Sequence, residues 1–347
     1  MHMADALISP AVGGTMWVVS AGLIAYCARK LQQAMKDSLV PLMGVLGAFI
    51  FAAQMINFSI PLTGSSGHLG GGLILSVLLG PHAAFLVIAS VLTVQALFFA
   101  DGGLLALGCN IFNLGFFPAF FAYPLIYRPI AGKGRGARRA WMAAVVAAVI
   151  GLQLGALGVV LETKLSGISE LPFGTFLLLM LPIHLAIGAV EGLATAAVVA
   201  FVAKARPDVL DAAPGPVESK AGIRPVVIGM ALAALIIGGV ISWFASTHPD
   251  GLEWTIAKVT GKEEVAGSGA AVHRQLAAVQ EKTAFLPDYG FKAAEVESVP
   301  AENAAAGPEP WPAVAAGTSV AGIAGGLITF GLACLAGFAL KGRRISI

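Results

Sequence analysis

The chain opens Met1-His2-Met3. The α-amine of Met1, the backbone nitrogen of His2 and the imidazole Nδ1 of His2 can close two fused chelate rings around one metal ion. That places three nitrogens in a plane and leaves a fourth in-plane position open. Planar nitrogen coordination suits Ni(II) or Cu(II), whereas zinc prefers a tetrahedron. The amide nitrogen must lose its proton to bind, and a metal cation drives that loss. A bulky second residue also protects Met1 from an aminopeptidase that prefers small ones. The competing reading is a terminus that frays in solvent, and on the tripeptide alone it is the stronger of the two.

A second imidazole changes that balance. His68 sits in GSSGHLGGG, where Gly64, Gly67, Gly70, Gly71 and Gly72 permit close backbone approach and positive φ. A neutral imidazole in such a loop is a natural metal ligand. Non-helical backbone at membrane depth is tolerated only where protein buries it or it lines a cavity. The alternative is a glycine-rich packing segment with an interfacial histidine. Because a metal-bound histidine usually donates its other nitrogen to a neighbouring acceptor, Asn57, Ser65, Ser66 and Gln95 are candidates to orient the ligands. Gln54 is read instead as an interhelical hydrogen-bonding residue.

These residues need elements to hold them, and composition says of what kind. The chain has 347 residues, 57% hydrophobic and 12% charged, half the charge of a typical soluble domain. It is therefore expected to be an all-α integral membrane protein. Cys27, Cys109 and Cys334 lie in apolar stretches without a CxxC and read as buried hydrophobes. The opening residues lack a basic start and a long apolar core, so no cleavable signal is expected and the mature chain should begin at Met1. Nine apolar segments follow, at about 11–28, 39–57, 69–80, 81–99, 104–127, 140–161, 173–203, 225–245 and 319–340. Gly115 and Pro118 are expected to interrupt the fifth, and Pro182 marks a possible bend in the seventh. The organisation expected is a seven-span domain over 1–206, a cytoplasmic linker over 207–224, and a two-span unit over 225–347 with an outer loop at 246–318.

Charge sets the orientation. With the N-terminus outside, the inner segments carry 15 Lys and Arg residues and the outer ones 6, the bias that the positive-inside rule demands. The most basic loop, 128–139, is then cytoplasmic, as is the C-terminus. Met1-His2 and His68 fall on the same outer face, so His68 can supply the fourth nitrogen. The outer loop 246–318 holds 10 acidic and 5 basic residues, which concentrates cations locally. Ala21/Ala25 and Ala48/Ala52 form small-residue pairs suited to close helix packing with a partner subunit.

Other candidates are weaker. His82, after Pro81, reads as an interfacial residue of the inner side. His184 and Glu191 share one helix and could relay metal or protons or form a structural pair, the pair being preferred. His248 and His273 lie in the outer loop and could scavenge metal. GKGRGARR is basic and glycine-rich but lacks GxxxxGK[ST], so the chain is not expected to hydrolyse ATP.

MHMADALISP, AAQMINFSIP with TGSSGHLGGG, and VQALFFADGGLLALGCNIFN together resemble the CbiM/NikM family of substrate-binding membrane subunits. That family belongs to energy-coupling-factor importers of Ni(II) and Co(II). HPDGLEWTIAKVTG, AFLPDYGF and the last span resemble the companion subunit NikN/CbiN, so the chain is similar to a fused NikMN arrangement. The resemblance covers nearly everything except the linker. It implies a planar site from Met1, His2 and His68, with Ni(II) or Co(II) as transported substrate. It also implies a transmembrane coupling subunit (NikQ/CbiQ-like) and a cytoplasmic ATPase (NikO/CbiO-like) as partners. The location expected is the bacterial cytoplasmic (inner) membrane, with lipid around the chain and no nucleic acid. The chain is not expected to be an enzyme. The alternatives are a cobalt importer subunit supplying cobalamin synthesis, or a membrane metal sensor or chaperone that does not transport.

Overall fold

The computed structural model describes residues 2–34, 36, 38–132, 136–205, 223–263, 265, 269–292 and 311–341. Met1, Lys133, Arg135, Arg343 and Arg344, most of the linker expected at 207–224, and parts of the segment 246–318 lie outside the described residues.

A short 3-10 turn, Asp5–Leu7, leads into α1 (Pro10–Ala34) and α2 (Leu39–Gln54). A two-stranded antiparallel hairpin follows, β1 (Phe58–Ile60) and β2 (Ser65–Gly67), with Ser59 opposite Ser66. Then come α3 (Gly72–Leu79), α4 (Pro81–Phe98), α5 (Leu107–Ala131), α6 (Ala137–Ser166) and α7 (Phe173–Ala205). The C-terminal part contributes α8 (Arg224–Gly239), α9 (Gly251–Thr260), α10 (Ala271–Thr283) and α11 (Ala316–Lys341).

Among the described residues, α1, α4, α5, α6, α7 and α11 are long and apolar enough to cross a membrane, and α2 and α8 are shorter apolar helices. The third expected span departs from this pattern. Residues 69–80 hold only the eight-residue α3, about 12 Å of helix at 1.5 Å per residue. A hydrocarbon core of about 30 Å needs more than that. The preceding residues, 68–71, are non-helical and carry His68 at the hairpin end of the bundle. Hydropathy reads such a half-extended segment as a span because its residues are apolar, whatever their backbone.

One further expectation is corrected. Gly115 and Pro118 do not interrupt α5. Proline removes an amide donor and crowds the preceding turn, and here the helix widens to π geometry over Phe112–Tyr127, passing both Pro118 and Pro124. Pro182, marked for a possible bend, lies inside α7 with helix on both sides of it.

The bundle is assembled around small residues, as expected where lipid supplies little hydrophobic drive between helices and close packing must do so. The backbones of Gly238 on α8 and Gly322 on α11 touch, and a methyl group on Gly322 would strike the Gly238 carbonyl. Gly325 of α11 admits the ring of Phe51, and Gly44 of α2 admits Cys334. The face of α2 that carries Ala48 and Ala52 is thus covered by this chain's own C-terminal helix. Phe51, Phe85, Phe99 and Phe176 form the largest fully buried side chains, whereas Leu178, Leu185, Leu193 and Phe201 line the exposed face of α7.

Candidate metal centre

The N-terminal segment is stitched into the bundle. Met3 is fully buried; its amide donates to Asn110 Oδ1 at 2.8 Å, and its carbonyl accepts from Gly103 N at 2.9 Å and from Asn110 Nδ2 at 3.2 Å. Asp5 Oδ1 accepts from Ala106 N at 2.9 Å, and Leu7 and Ile8 are buried. His273 of α10 caps the far side, with Nε2 at 3.1 Å from the Asp5 carbonyl and 2.9 Å from that of Ile8. Residues 2–8 are therefore fixed in the fold, against the fraying alternative. The Met1 amine lies outside the described residues.

This places His2 beside His68. The two imidazoles stack with centroids 4.9 Å apart and planes inclined by 28°. Their settings differ. His68 Nδ1 lies 3.1 Å from the Leu69 carbonyl, which can only accept; the proton therefore sits on Nδ1 and the lone pair on Nε2. Burial, aided by positive charge nearby that includes His2, pushes the His68 imidazole down to about 3, so it is neutral. His2 instead turns Nδ1 to Asp101 Oδ1 at 2.7 Å, while its buried Nε2 has no hydrogen-bond partner among the described residues. A chelate through Nδ1 requires the ring to leave Asp101.

The loop bearing His68 is held from below. Glu191 of α7 accepts from Gly70 N at 2.7 Å and Gly71 N at 3.1 Å. Gln54 Nε2 donates to the Gly70 carbonyl at 2.8 Å, and Gln95 Nε2 to Gln54 Oε1 at 2.9 Å. From above, the C-terminal part docks on the hairpin. Ser66 donates from N to Pro249 O at 2.8 Å and from Oγ to His248 O at 2.7 Å; Trp254 Nε1 reaches Thr63 O at 3.0 Å. Ser246 N donates to the Asn57 carbonyl at 2.7 Å.

That docking brings two C-terminal residues to the imidazoles. Asp250 starts α9: its Oδ1 accepts from Leu252 N and Glu253 N, while Glu253 returns a bond to Asp250 N, a capping box. Its other oxygen lies 3.9 Å from His68 Nε2. Tyr289 donates to Asp101 Oδ2 at 2.5 Å, so it stands behind the carboxylate that holds His2. Burial alone would raise the pKa of Asp101, but the charge of His2 and the hydrogen bonds from His2 and Tyr289 hold it below the usual carboxylate range. Burial and the Asp101 charge push the Tyr289 phenol well up, so it stays a donor.

Of the orienting candidates, Asn57, Ser65, Ser66 and Gln95 make no hydrogen bond to either imidazole; they fix the hairpin, the docked loop and Gln54 instead. Leu69 O and Asp101 do the orienting. His82 packs between Tyr26 and Phe120, away from the site. His184 and Glu191 do not pair with each other: His184 bonds its own helix at Met180 O, and Glu191 takes the loop amides. His248 contributes its backbone to the hairpin, and His273 braces the N-terminal segment. Asp101, Asn110, Asp250 and Tyr289 were not picked out as site residues. A local signal existed for Asp250, since D-x-x-E before an apolar run announces a capped helix.

Over the two imidazoles lies a cavity of about 530 Å³ whose lining includes Asp5, Asp101, Asp250, Glu253, Glu263 and Asp288. Carboxylates of one sign around a recess concentrate cations. No group of three or more His, Cys, Asp or Glu side chains suited to a metal occurs among the described residues. Two imidazoles can hold a cation firmly here only if other donors, such as backbone nitrogens, complete the set.

A family model described as the cobalt uptake substrate-specific transmembrane region, CbiM, matches residues 2–209, and a PDGLE domain matches 224–342. The chain is 40% identical over 221 residues to a putative fused nickel transport protein NikMN of Archaeoglobus fulgidus, covering 62% of this chain and 70% of that one. It is 28% identical over 287 residues to the fused nickel transport protein NikMN of Rhodobacter capsulatus, covering 78% and 81%. A crystal structure of a truncated transition metal transporter superimposes with a TM-score of 0.52 at 28% identity, over 59% of this chain and 99% of the other. These relatives are metal transport proteins of the membrane, not enzymes, and this multi-pass chain belongs to the CbiM family, with a NikN/CbiN-like PDGLE region following its CbiM region.

Proposed function

We propose that the chain is the substrate-specific membrane subunit of an ATP-driven energy-coupling-factor importer for Ni(II) or Co(II). It works in the bacterial inner membrane with a transmembrane coupling subunit and a cytoplasmic ATPase. The observation that carries this reading is the stacking of His2 on His68 at 4.9 Å. At about 2 Å per metal–nitrogen bond, one ion can reach both rings. The Met1 amine and the His2 amide nitrogen complete the plane. Residues 1–206 form the metal-binding domain, 207–224 the cytoplasmic linker and 225–347 the companion unit. The site end faces outward and the basic loop 128–139 inward. The acidic cavity gathers the cation, and the ion is released inward when the coupling subunit moves this one. Nickel is favoured because the two fused relatives described above carry nickel in their names.

The test is uptake of labelled nickel and cobalt in competition, in cells with and without the ATPase. ATPase-dependent nickel uptake, lost to background in His68→Ala at normal expression, is the expected result. Tight binding without ATPase-dependent uptake would instead make the chain a membrane metal sensor. Labelling from outside should modify a cysteine placed at residue 265 and spare one at 134; the reverse pattern overturns the orientation.

A further inference from the structure

Each of the two stacked imidazoles has a carboxylate against it. Asp101 bonds His2, and Asp250, from the C-terminal part, lies with Oδ2 3.9 Å from His68 Nε2. The second pair cannot be a hydrogen bond. With the His68 proton on Nδ1, Nε2 and Asp250 Oδ2 are both acceptors, and two acceptors are held face to face favourably only beside positive charge. Burial alone would raise the pKa of Asp250, but positive charge nearby and the hydrogen bond from the Glu253 amide hold it below the usual carboxylate range, so it is ionised.

Local structure does not require that charge. Asp250 Oδ1 caps α9 by accepting from Leu252 N at 2.8 Å and Glu253 N at 2.9 Å, a task that Asn or Ser performs about as well. Oδ2 is the oxygen that the cap leaves over. The neighbours of Asp250 fix where it stands. The Pro249 carbonyl accepts from Ser66 N at 2.8 Å, which ties it to the hairpin leading into His68. Gly251 lets α9 begin against α7: a methyl group there would stand 2.6 Å from Ile183 Cγ2. Leu252 and Ile256 are buried. Packing on both sides thus delivers Asp250 to one place, beside the ring nitrogen that carries the lone pair.

We propose that Asp250 is the counter-charge of the loaded site on its His68 side, standing outside the coordination plane and stabilising the bound ion without bonding to it. The inference rests on the import reading above. An ion about 2 Å from His68 Nε2 lies within about 6 Å of Asp250 Oδ2 whatever its direction, given the 3.9 Å between the two atoms. Opposite charges at about 4–6 Å stabilise each other strongly where water is largely excluded, and the His68 and Asp250 side chains are only 9% and 14% exposed. Asp101 and Asp250 then flank the ion, one on each imidazole. Because Asp250 arrives with α9, full affinity requires the C-terminal part to be docked.

The experiment is calorimetric titration of Ni(II) into the full chain in detergent, on wild type, Asp250→Asn, Asp250→Ser and Asp250→Ala, with thermal unfolding of the same proteins before metal is added. Asn and Ser keep the cap and lose the charge, whereas Ala loses both. All three should bind nickel about 10- to 100-fold more weakly than wild type, the usual cost of removing an outer partner of a metal site. Only the Ala variant should unfold at a lower temperature. The Ser variant decides the matter if the Asn variant does not fold. The losses should persist at about 1 M salt, where the screening length is about 3 Å, because the charge acts from a largely buried position. Wild-type affinity in a folded Asn or Ser variant overturns the inference, and so does a loss confined to Ala, which would belong to the cap. A loss that vanishes at high salt also overturns it, by assigning the effect to the acidic recess as a whole. Failure of the import reading looks different: wild type itself would bind no nickel tightly.

Discussion

His2 and His68 are stacked neighbours held in opposite ways. His68 has Nδ1 on the Leu69 carbonyl, which leaves its lone pair on Nε2. His2 has Nδ1 on a carboxylate, Asp101 Oδ1 at 2.7 Å. The loop residue belongs to a backbone fixed by Glu191 and Gln54, whereas the tail residue belongs to a segment fixed through Asn110 and Asp101. On the proposed reading one half of the site is preformed, and the other exchanges a hydrogen bond for a metal bond.

The largest effect should come from acetylating the Met1 amine. The anchors of the N-terminal segment to Asn110, Gly103 and Ala106 are untouched, and only the proposed amine donor is lost. The chelate rings then cannot close. Metal content of the purified protein should fall to background. Wild-type stoichiometry after acetylation would remove the amine from the proposed site.

A smaller effect is expected for Asp101→Asn, which separates two roles of that carboxylate. As a competitor for Nδ1 it opposes binding by a charge-assisted hydrogen bond, about 1.5–3 kcal/mol. As a charge beside the bound metal it favours binding: the deprotonated His2 amide leaves the proposed complex about one net positive charge, worth roughly 4 kcal/mol at about 4 Å and an effective dielectric near 20. The second role wins, so Asp101→Asn should weaken nickel binding by about 10- to 100-fold in calorimetric titration. Tighter binding would show that the competition dominates, and that His2 is the more strongly preset of the two histidines.

Tyr289→Phe should give the smallest change. It removes one donor from Asp101 and leaves the ring stacked on Phe99. A loss of about 1 kcal/mol, a few-fold in Kd, is expected, together with an unchanged metal spectrum. A silent variant would mean that the C-terminal unit supports only the His68 half of the site.

How much of this was legible in the sequence follows the same division. The two imidazoles could be named because a histidine at position 2 and one in a glycine-rich loop are chemically unusual where they stand. The helices could be named because apolar runs are long and end at Gly, Pro and basic residues. The groups that orient the imidazoles could not. Asp101 read as part of an Asp-Gly-Gly turn, and its partners lie 99 residues before it and 188 after it. Asn110 read as one polar residue in an apolar stretch, yet it fixes the N-terminal segment across 107 residues. Asn57, Ser65, Ser66 and Gln95 are engaged elsewhere: the Asn57 carbonyl and Ser66 bind the docked loop at Ser246, His248 and Pro249, Ser65 bonds within the hairpin, and Gln95 bonds Gln54. The half-helix at 72–79 escaped for another reason. Hydropathy measures what a residue is made of, and the three residues before α3, Leu69, Gly70 and Gly71, are apolar without being helical.

One consequence concerns the docking of the loop after α8 onto the hairpin at 58–67. Its bonds, from Ser66, Trp254 and Ser246, are few and ordinary. Between separate polypeptides they would hold poorly at cellular concentrations. Within one chain, the encounter runs at an effective concentration of order millimolar for a short tether, so an interface worth only about 4 kcal/mol is half occupied. The loop can therefore dock on the hairpin without a second molecule having to be found.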